Sequence, residues 1–344
     1  MSLAAEGASR TAFAGRRSRR SRELMDAARA QLAGTDSPEA RGFIALTEAL
    51  CEFWSANWHR AAPLADAADR QLREHCSGVA WERANCDNLR MEIAFHRGEW
   101  AKLAEYGQGQ PGRLEDAKAR GDLHAIVALL LEGTIRFLMA DQPAQAEEFV
   151  RQTLSVLPAD RLFTPQVVAT GLRVNIALYS GDGRAAAALV LRPDRSLKRS
   201  QLLRVEPAWI QTMDTKSRAV LGAAVTNNGA TGELRIAAAS ARQLARRKNP
   251  WATALSLLIR ANIASFERAR QPTLDFLTRA ETEFLACSMA QYVATCRYRR
   301  GQLIGGSDGR GLMAEAEQWA ASQHIVNPGR VFDMLAPGRW NFGV

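Results

Sequence analysis

The stretch Phe53-Trp54-Ser55-Ala56-Asn57-Trp58 decides how this chain folds. Before it, Phe43, Leu46 and Leu50 lead into Phe53-Trp54 at helical spacing. Asn57 interrupts that stripe as a turn, and Trp58 opens a second one through Leu64, Ala68 and Leu72. Upstream, Asp36-Ser37-Pro38 places a capping residue ahead of a proline suited to the first helical turn. The reading is a helix, a tight turn and a second helix.

The same reading recurs along the chain. Turn anchors fall at Asn57, Gly98, Asp141, Asp182, Gly232, Pro272 and Gly309, which are 41, 43, 41, 50, 40 and 37 residues apart. A period near forty marks stacked helical hairpins, each too small to bury its apolar face alone. In the second unit Trp81, Leu89, Ile93 and Phe95 form the apolar face, Gly98 turns, and Trp100 opens the partner helix. Trp81 is expected between layers, where truncation to alanine would cost about 3–5 kcal/mol. A polar stretch, Arg192 to Ser200, precedes a long helical pattern that contains Pro207, which must kink that helix or delay its start to about Glu206. Asn227 to Gly232 reads as a loop and accounts for the one long spacing, and Gly305 to Gly309 reads as an interhelical turn.

The expected fold is all-α: a right-handed superhelical α-solenoid of about seven tetratricopeptide-like hairpins over residues 37–326. A basic segment with a first helix, fitted to Arg17–Leu32, occupies residues 1–36, and a C-terminal cap and tail occupy 327–344. Period-two runs of Val, Ile, Thr and aromatics hardly appear, so no sheet is expected.

The formal charge is +9, which points to nucleic acid or an acidic membrane surface. Only five residues are lysine, however, and abundant arginine beside abundant alanine is also what GC-rich coding produces. A solvated basic face is the preferred reading, with a helical-repeat nucleic-acid binder as the alternative. Five cysteines without close pairs do not form a disulfide framework. No apolar run reaches the length of a membrane span. A cytoplasmic setting is expected.

Catalytic patterns are missing. There is no phosphate-binding G-x-x-x-x-G-K-[ST], and no H-R-D, D-F-G or V-A-I-K of a protein kinase. His75, Cys76, Cys86 and His96 include soft ligands, but zinc wants pairs two to four residues apart, and here the gaps are one, ten and ten. The carboxylate pairs Glu147-Glu148 and Glu281/Glu283 are expected on exposed helix positions. Two basic clusters with aromatics, one of Arg297, Arg299 and Arg300 with Tyr292 and Tyr298, the other of Arg242, Arg246, Arg247 and Lys248 near Trp251, read as solvated faces or as anion contacts. No cofactor, metal or catalytic residue is assigned.

Several local patterns carry a family resemblance. They are Gly305-Gly306-x-x-Gly309 with Ala316 and Trp319, Gln323-x-Ile325-x-Asn327-Pro328-x-Arg330, and Met334-Leu335-Ala336-Pro337-Gly338. Gly78-Val79-Ala80-Trp81-Glu82 and Leu202-Leu203-Arg204-Val205 belong with them. From about residue 40 onward the chain resembles the C-terminal tetratricopeptide-like region of bacterial eukaryotic-like serine/threonine protein kinases. No kinase domain is present, so none of that family's catalytic residues carries over. The resemblance implies a sensing or partner-docking segment in signalling, either a fragment of a longer kinase or a stand-alone relative beside a separate one.

Together these readings point to a non-catalytic scaffold that binds a protein or peptide partner, a kinase or signalling regulator, on a concave face. First helices of hairpin arrays line that face. Arg90, Arg97, Arg136, Arg173 and Arg218 fall on first helices and are the candidate clamps for carboxylates of an extended peptide.

Overall fold

The computed structural model describes residues 1–16, 18–108, 112–155, 164–191, 202–227 and 231–342, and among these it contains helices and no strand. The helices, in order, are α1 (Ser2–Ala14), α2 (Arg19–Ala33), α3 (Pro38–Trp54), α4 (Trp58–His75), α5 (Ala80–Arg97), α6 (Trp100–Gln108), α7 (Arg113–Arg120), α8 (Leu123–Met139) and α9 (Pro143–Leu154). They continue as α10 (Thr164–Tyr179), α11 (Gly183–Leu191), α12 (Glu206–Thr226), α13 (Thr231–Ala245), α14 (Pro250–Phe266), α15 (Arg270–Ala286), α16 (Ala290–Ile304), α17 (Gly306–Ser322) and α18 (Pro328–Leu335).

Capping chemistry sets the helix starts. Ser37 accepts a hydrogen bond from the Ala40 N–H, and Pro38 needs no partner for the N–H it lacks. Asp122, Asp182, Asn249 and Asn327 cap other helices in the same way. Pro207 stands in the first turn of α12, which begins at Glu206, so the proline delays the helix and does not kink it.

One turn joins most helix pairs. A residue with φ between +50° and +80° follows the first helix, and the next N–H reaches back five residues to a carbonyl. Asn57 N–H donates to Glu52 O, Glu99 to Ala94, Gln142 to Phe137, Asp182 to Ala177 and Ala269 to Ala264. The left-handed residues are Ala56, Gly98, Asp141, Gly181 and Arg268. The first four match the expected turns within a residue. The later anchors shift: Gly232, Pro272 and Gly309 lie inside α13, α15 and α17, and the turns fall instead at Arg268 and Gly305. Of the expected loop, residues 228–230 lie outside the described residues, as does the Arg192–Ser200 stretch. The N-terminal 36 residues hold two helices, α1 as well as the expected α2, packed as a pair beside α3.

Most consecutive helices pack on one another. The second helix of each pair presents an alanine stripe to the layer, as in Ala61, Ala65 and Ala68 of α4, Ala237 and Ala241 of α13, and Ala316 and Ala320 of α17, all essentially buried. Such stripes let backbones approach closely. At three crossings glycine takes the closest point: Gly133 receives Phe149, Gly183 meets the Gly222 backbone, and Gly301 meets the Gly309 carbonyl. A side chain at any of these would force the helices apart.

The stack also closes on itself. Gln291, at the start of α16, donates to the His96 carbonyl at 2.9 Å, and its backbone fills the space that a side chain on Gly98 would need. Trp251 packs edge-on against Trp58 and His96, with ring centroids 5.5 and 5.2 Å apart. The Ala101 N–H donates to Gln323 at 3.1 Å and the Val326 N–H to the Met139 carbonyl at 2.8 Å. Helix α18 packs on α10 as well as on α16. The C-terminal cap thus bridges the middle of the array to its end.

Candidate functional site

The structure does not bring the five candidate arginines together. Arg90 reaches back to α4 and pairs with Asp66 at 2.8 Å and Asp69 at 3.2 Å, and with Asp87 on its own helix. Arg97 pairs with Glu99 at 2.9 Å, Arg136 with Glu132 at 3.1 Å, and Arg173 with Glu147 of α9 at 2.8 Å. Arg136 also covers the Phe137 ring. Four of the five are therefore engaged within their own layers by acids a helical turn away or on the neighbouring helix. Only Arg218 points into the centre. It is 2% exposed and holds Asp214 and Asn175, both at 2.8 Å, and the Met334 carbonyl at 3.3 Å. Helical spacing assigned these residues to first helices, but it does not report which neighbouring carboxylate each guanidinium meets.

The centre is a shared polar and aromatic lining drawn from both halves of the stack. His96 stacks face to face on Trp58, with centroids 4.7 Å apart, inside a ring of Phe53, Phe95 and Trp251. Burial there disfavours the imidazolium and pushes its pKa down to about 3. Tyr292 donates to Asp214 at 3.4 Å, and its phenol is pushed well above its usual range by burial and then by that carboxylate. Between His96, Asn175, Gln211, Arg218, Gln291 and Tyr292 lies a cavity of about 20 Å³. That space suits one water molecule, and it sits beside the unpartnered Gln291 Oε1. Pockets for small organic ligands run to roughly 300–1,000 Å³.

Three expectations change here. Trp81 is 64% exposed, at the start of α5 where no neighbouring layer covers it, so it is a surface residue and not part of the core. Glu281 is buried, not solvated, because Arg297 and Arg300 of α16 both reach it across the helix pair. Arg299, read as surface-facing, is 2% exposed. It binds Asp333 at 2.6 Å and the Ala336 carbonyl, and lies over the Trp340 ring. Of the cluster that resembled an anion contact, Arg299 therefore anchors the C-terminal cap, and Arg297 and Arg300 join α16 to α15.

Among the described residues, no three His, Cys, Asp or Glu side chains converge as metal ligands. His75 is exposed and His96 is enclosed by aromatics, while burial pushes the Cys86 thiol up to about 12. No helix among the described residues is long and apolar enough to cross a membrane. Sequence reasoning missed Asp214, Gln291 and Gln323, the polar residues that tie distant layers together. Each occupies a position that periodicity reads as ordinary helix, so no local signal distinguishes them. No protein-family model and no curated protein matches the chain.

Proposed function

We propose that this chain is a non-catalytic protein-interaction scaffold or sensor module, serving a bacterial serine/threonine kinase signalling system. It is a right-handed superhelix of seven tetratricopeptide-like hairpins, in a cytoplasmic setting. The observation that carries this reading is the filled interior. The inward faces of the first helices meet the chain's own α16 and α18, leaving space for one water. The buried acids and bases Asp214, Arg218, Glu281 and Arg299 are all engaged in holding layers together. An interior so occupied supports binding on outer surfaces over chemistry inside. The kinase association rests on the resemblance from residue 40 onward.

Trp81 is the first surface residue to examine, since exposed tryptophans supply a large share of interface energy when a partner covers them. The test is affinity capture from host lysate with the parent chain and with Trp81→Ala. The proposal expects a kinase or signalling regulator to be retained by the parent, a weaker yield with Trp81→Ala, and equal melting temperatures for the two. Phosphate transfer from ATP to acceptor proteins by the purified chain would contradict the reading, as would partner retention that ignores the substitution.

A further inference from the structure

Part of the positive charge of the chain is gathered into acid-free runs. Two short runs, residues 16–22 (RRSRRSR) and 242–248 (RQLARRK), hold nine cations and no acid. That equals the whole formal charge of +9, so cations and acids balance over the rest of the sequence. Residues 192–204 also carry an excess, five cations against one acid, and acids elsewhere in the chain offset it.

More than two hundred residues separate the runs, yet the fold joins them. The Asn249 side chain donates to the Gly15 carbonyl at 3.1 Å, and Gly15, at φ 62°, lies directly against Glu206. The residue before the first run thus meets the residue after the second. Arg16, Arg19, Arg20, Arg242, Arg246 and Lys248 are exposed. Two acids lie in the patch. Glu23 is shared by Arg19 and Arg20, and Glu206 by Arg247, which also covers the Trp209 ring. The cations still outnumber them severalfold.

Helix electrostatics accounts for only half of the patch. Arg242 and Arg246 stand at the C-terminal end of α13, where the helix dipole favours positive charge. Arg19 and Arg20 stand in the first turn of α2, where it opposes them, and the one acid that reaches both, Glu23, lies a turn further on. Phe13, at the end of α1 and three residues before Arg16, is 54% exposed. An exposed aromatic three residues ahead of an arginine run can stack on a base while the arginines take phosphates.

We propose that the junction of α1–α2 with α13–α14 binds single-stranded nucleic acid. Arginines and Lys248 contact successive phosphates, and Phe13 stacks on a base. One phosphorylated side chain supplies about two charges, too few for this surface, whereas a single strand brings one per nucleotide. The site is on the outside of the stack and independent of the partner reading above.

The test is fluorescence anisotropy of the full chain with a labelled oligothymidylate of about 20 nucleotides, longer than one such platform needs. Binding is expected at low salt and is expected to weaken linearly in log–log form. Each phosphate contact contributes about 0.7 to the slope. Arg16→Gln with Arg246→Gln, one from each run, should lower the slope by roughly 1.4. Phe13→Ala should lower affinity and leave the slope unchanged, and the exposed Arg60→Gln should change neither. No binding at low salt overturns the proposal, as does a flat salt dependence or a double variant that binds like the parent. Unchanged affinity in Phe13→Ala, or competition by polyglutamate equal per charge to unlabelled oligonucleotide, assigns the surface to acidic protein and overturns it equally.

Discussion

Arg330 reaches across the stack to Asp141, Nη1 to Oδ1 at 2.9 Å, joining residues 189 apart in sequence. Asp141 accepts two more hydrogen bonds, from the Tyr179 hydroxyl at 2.9 Å and from Asn327 at 3.4 Å. It also sits at φ 57° in the turn between α8 and α9. One aspartate therefore ends a hairpin turn, receives the next layer and holds the cap.

The two ends of that contact should differ in weight. Arg330 is half-exposed, so Arg330→Ala is expected to cost at most about 1 kcal/mol. Asp141→Ala removes the carboxylate that accepts three hydrogen bonds and places alanine in left-handed backbone, and about 2–3 kcal/mol is expected. Urea unfolding of the two variants checks the ranking.

Arg218 and Asp214 are both about 3% exposed and 2.8 Å apart. Arg218→Ala leaves a buried carboxylate without its partner, for which a loss of about 3–5 kcal/mol is expected. Replacing both, Arg218→Met with Asp214→Leu, should recover most of that loss, because the second buried charge leaves with the first. Equilibrium denaturation of the single and double variants measures the difference.

Glycine at the α11–α12 crossing makes a steric prediction. A methyl group on Gly183 would overlap the Gly222 backbone, whereas Gly232 has nothing within 4 Å. Gly183→Ala is expected to destabilise by about 1–3 kcal/mol, because neither backbone can move aside cheaply. Gly232→Ala should be neutral or slightly stabilising, since alanine favours the helix. Thermal melts of both variants suffice.

His96 sets part of the acid limb. Its folded pKa, about 3, lies below the unfolded value near 6.5, so only the unfolded chain gains its proton between those values. Its contribution to stability is complete above pH 6.5 and declines as pH falls toward 3, by about 1.4 kcal/mol per pH unit. His96→Phe keeps a flat ring against Trp58 and should flatten that part of the stability–pH curve. Chemical denaturation between pH 7 and 4 reads the slope.

Local signals were legible in the sequence wherever one helical turn contains the cause. Ser37-Pro38 fixed a helix start, and glycine or a short polar residue marked turns at Asn57, Gly98, Asp141 and Asp182. The turn at Arg268 was expected four residues later, at Pro272, and the one at Ser288 had no anchor, since both residues take left-handed backbone without being glycine or asparagine. Trp81 misled for a related reason. Helical spacing places it on a stripe, but whether a neighbour covers the first turn of α5 depends on where the array bends. The closure of the stack left no periodic trace, because Gln291, Gln323 and Arg330 make contacts whose partners lie about two hundred residues away.

The closing of the array by its own C-terminus is tested most directly by proximity within one chain. Cysteines placed at 141 and 330 and treated with a short bismaleimide should yield an intramolecular 141–330 cross-link in the native protein, read by peptide mass spectrometry, and lose it in denaturant. A native protein that gives no such product, or gives it only between two chains, would contradict the closed arrangement.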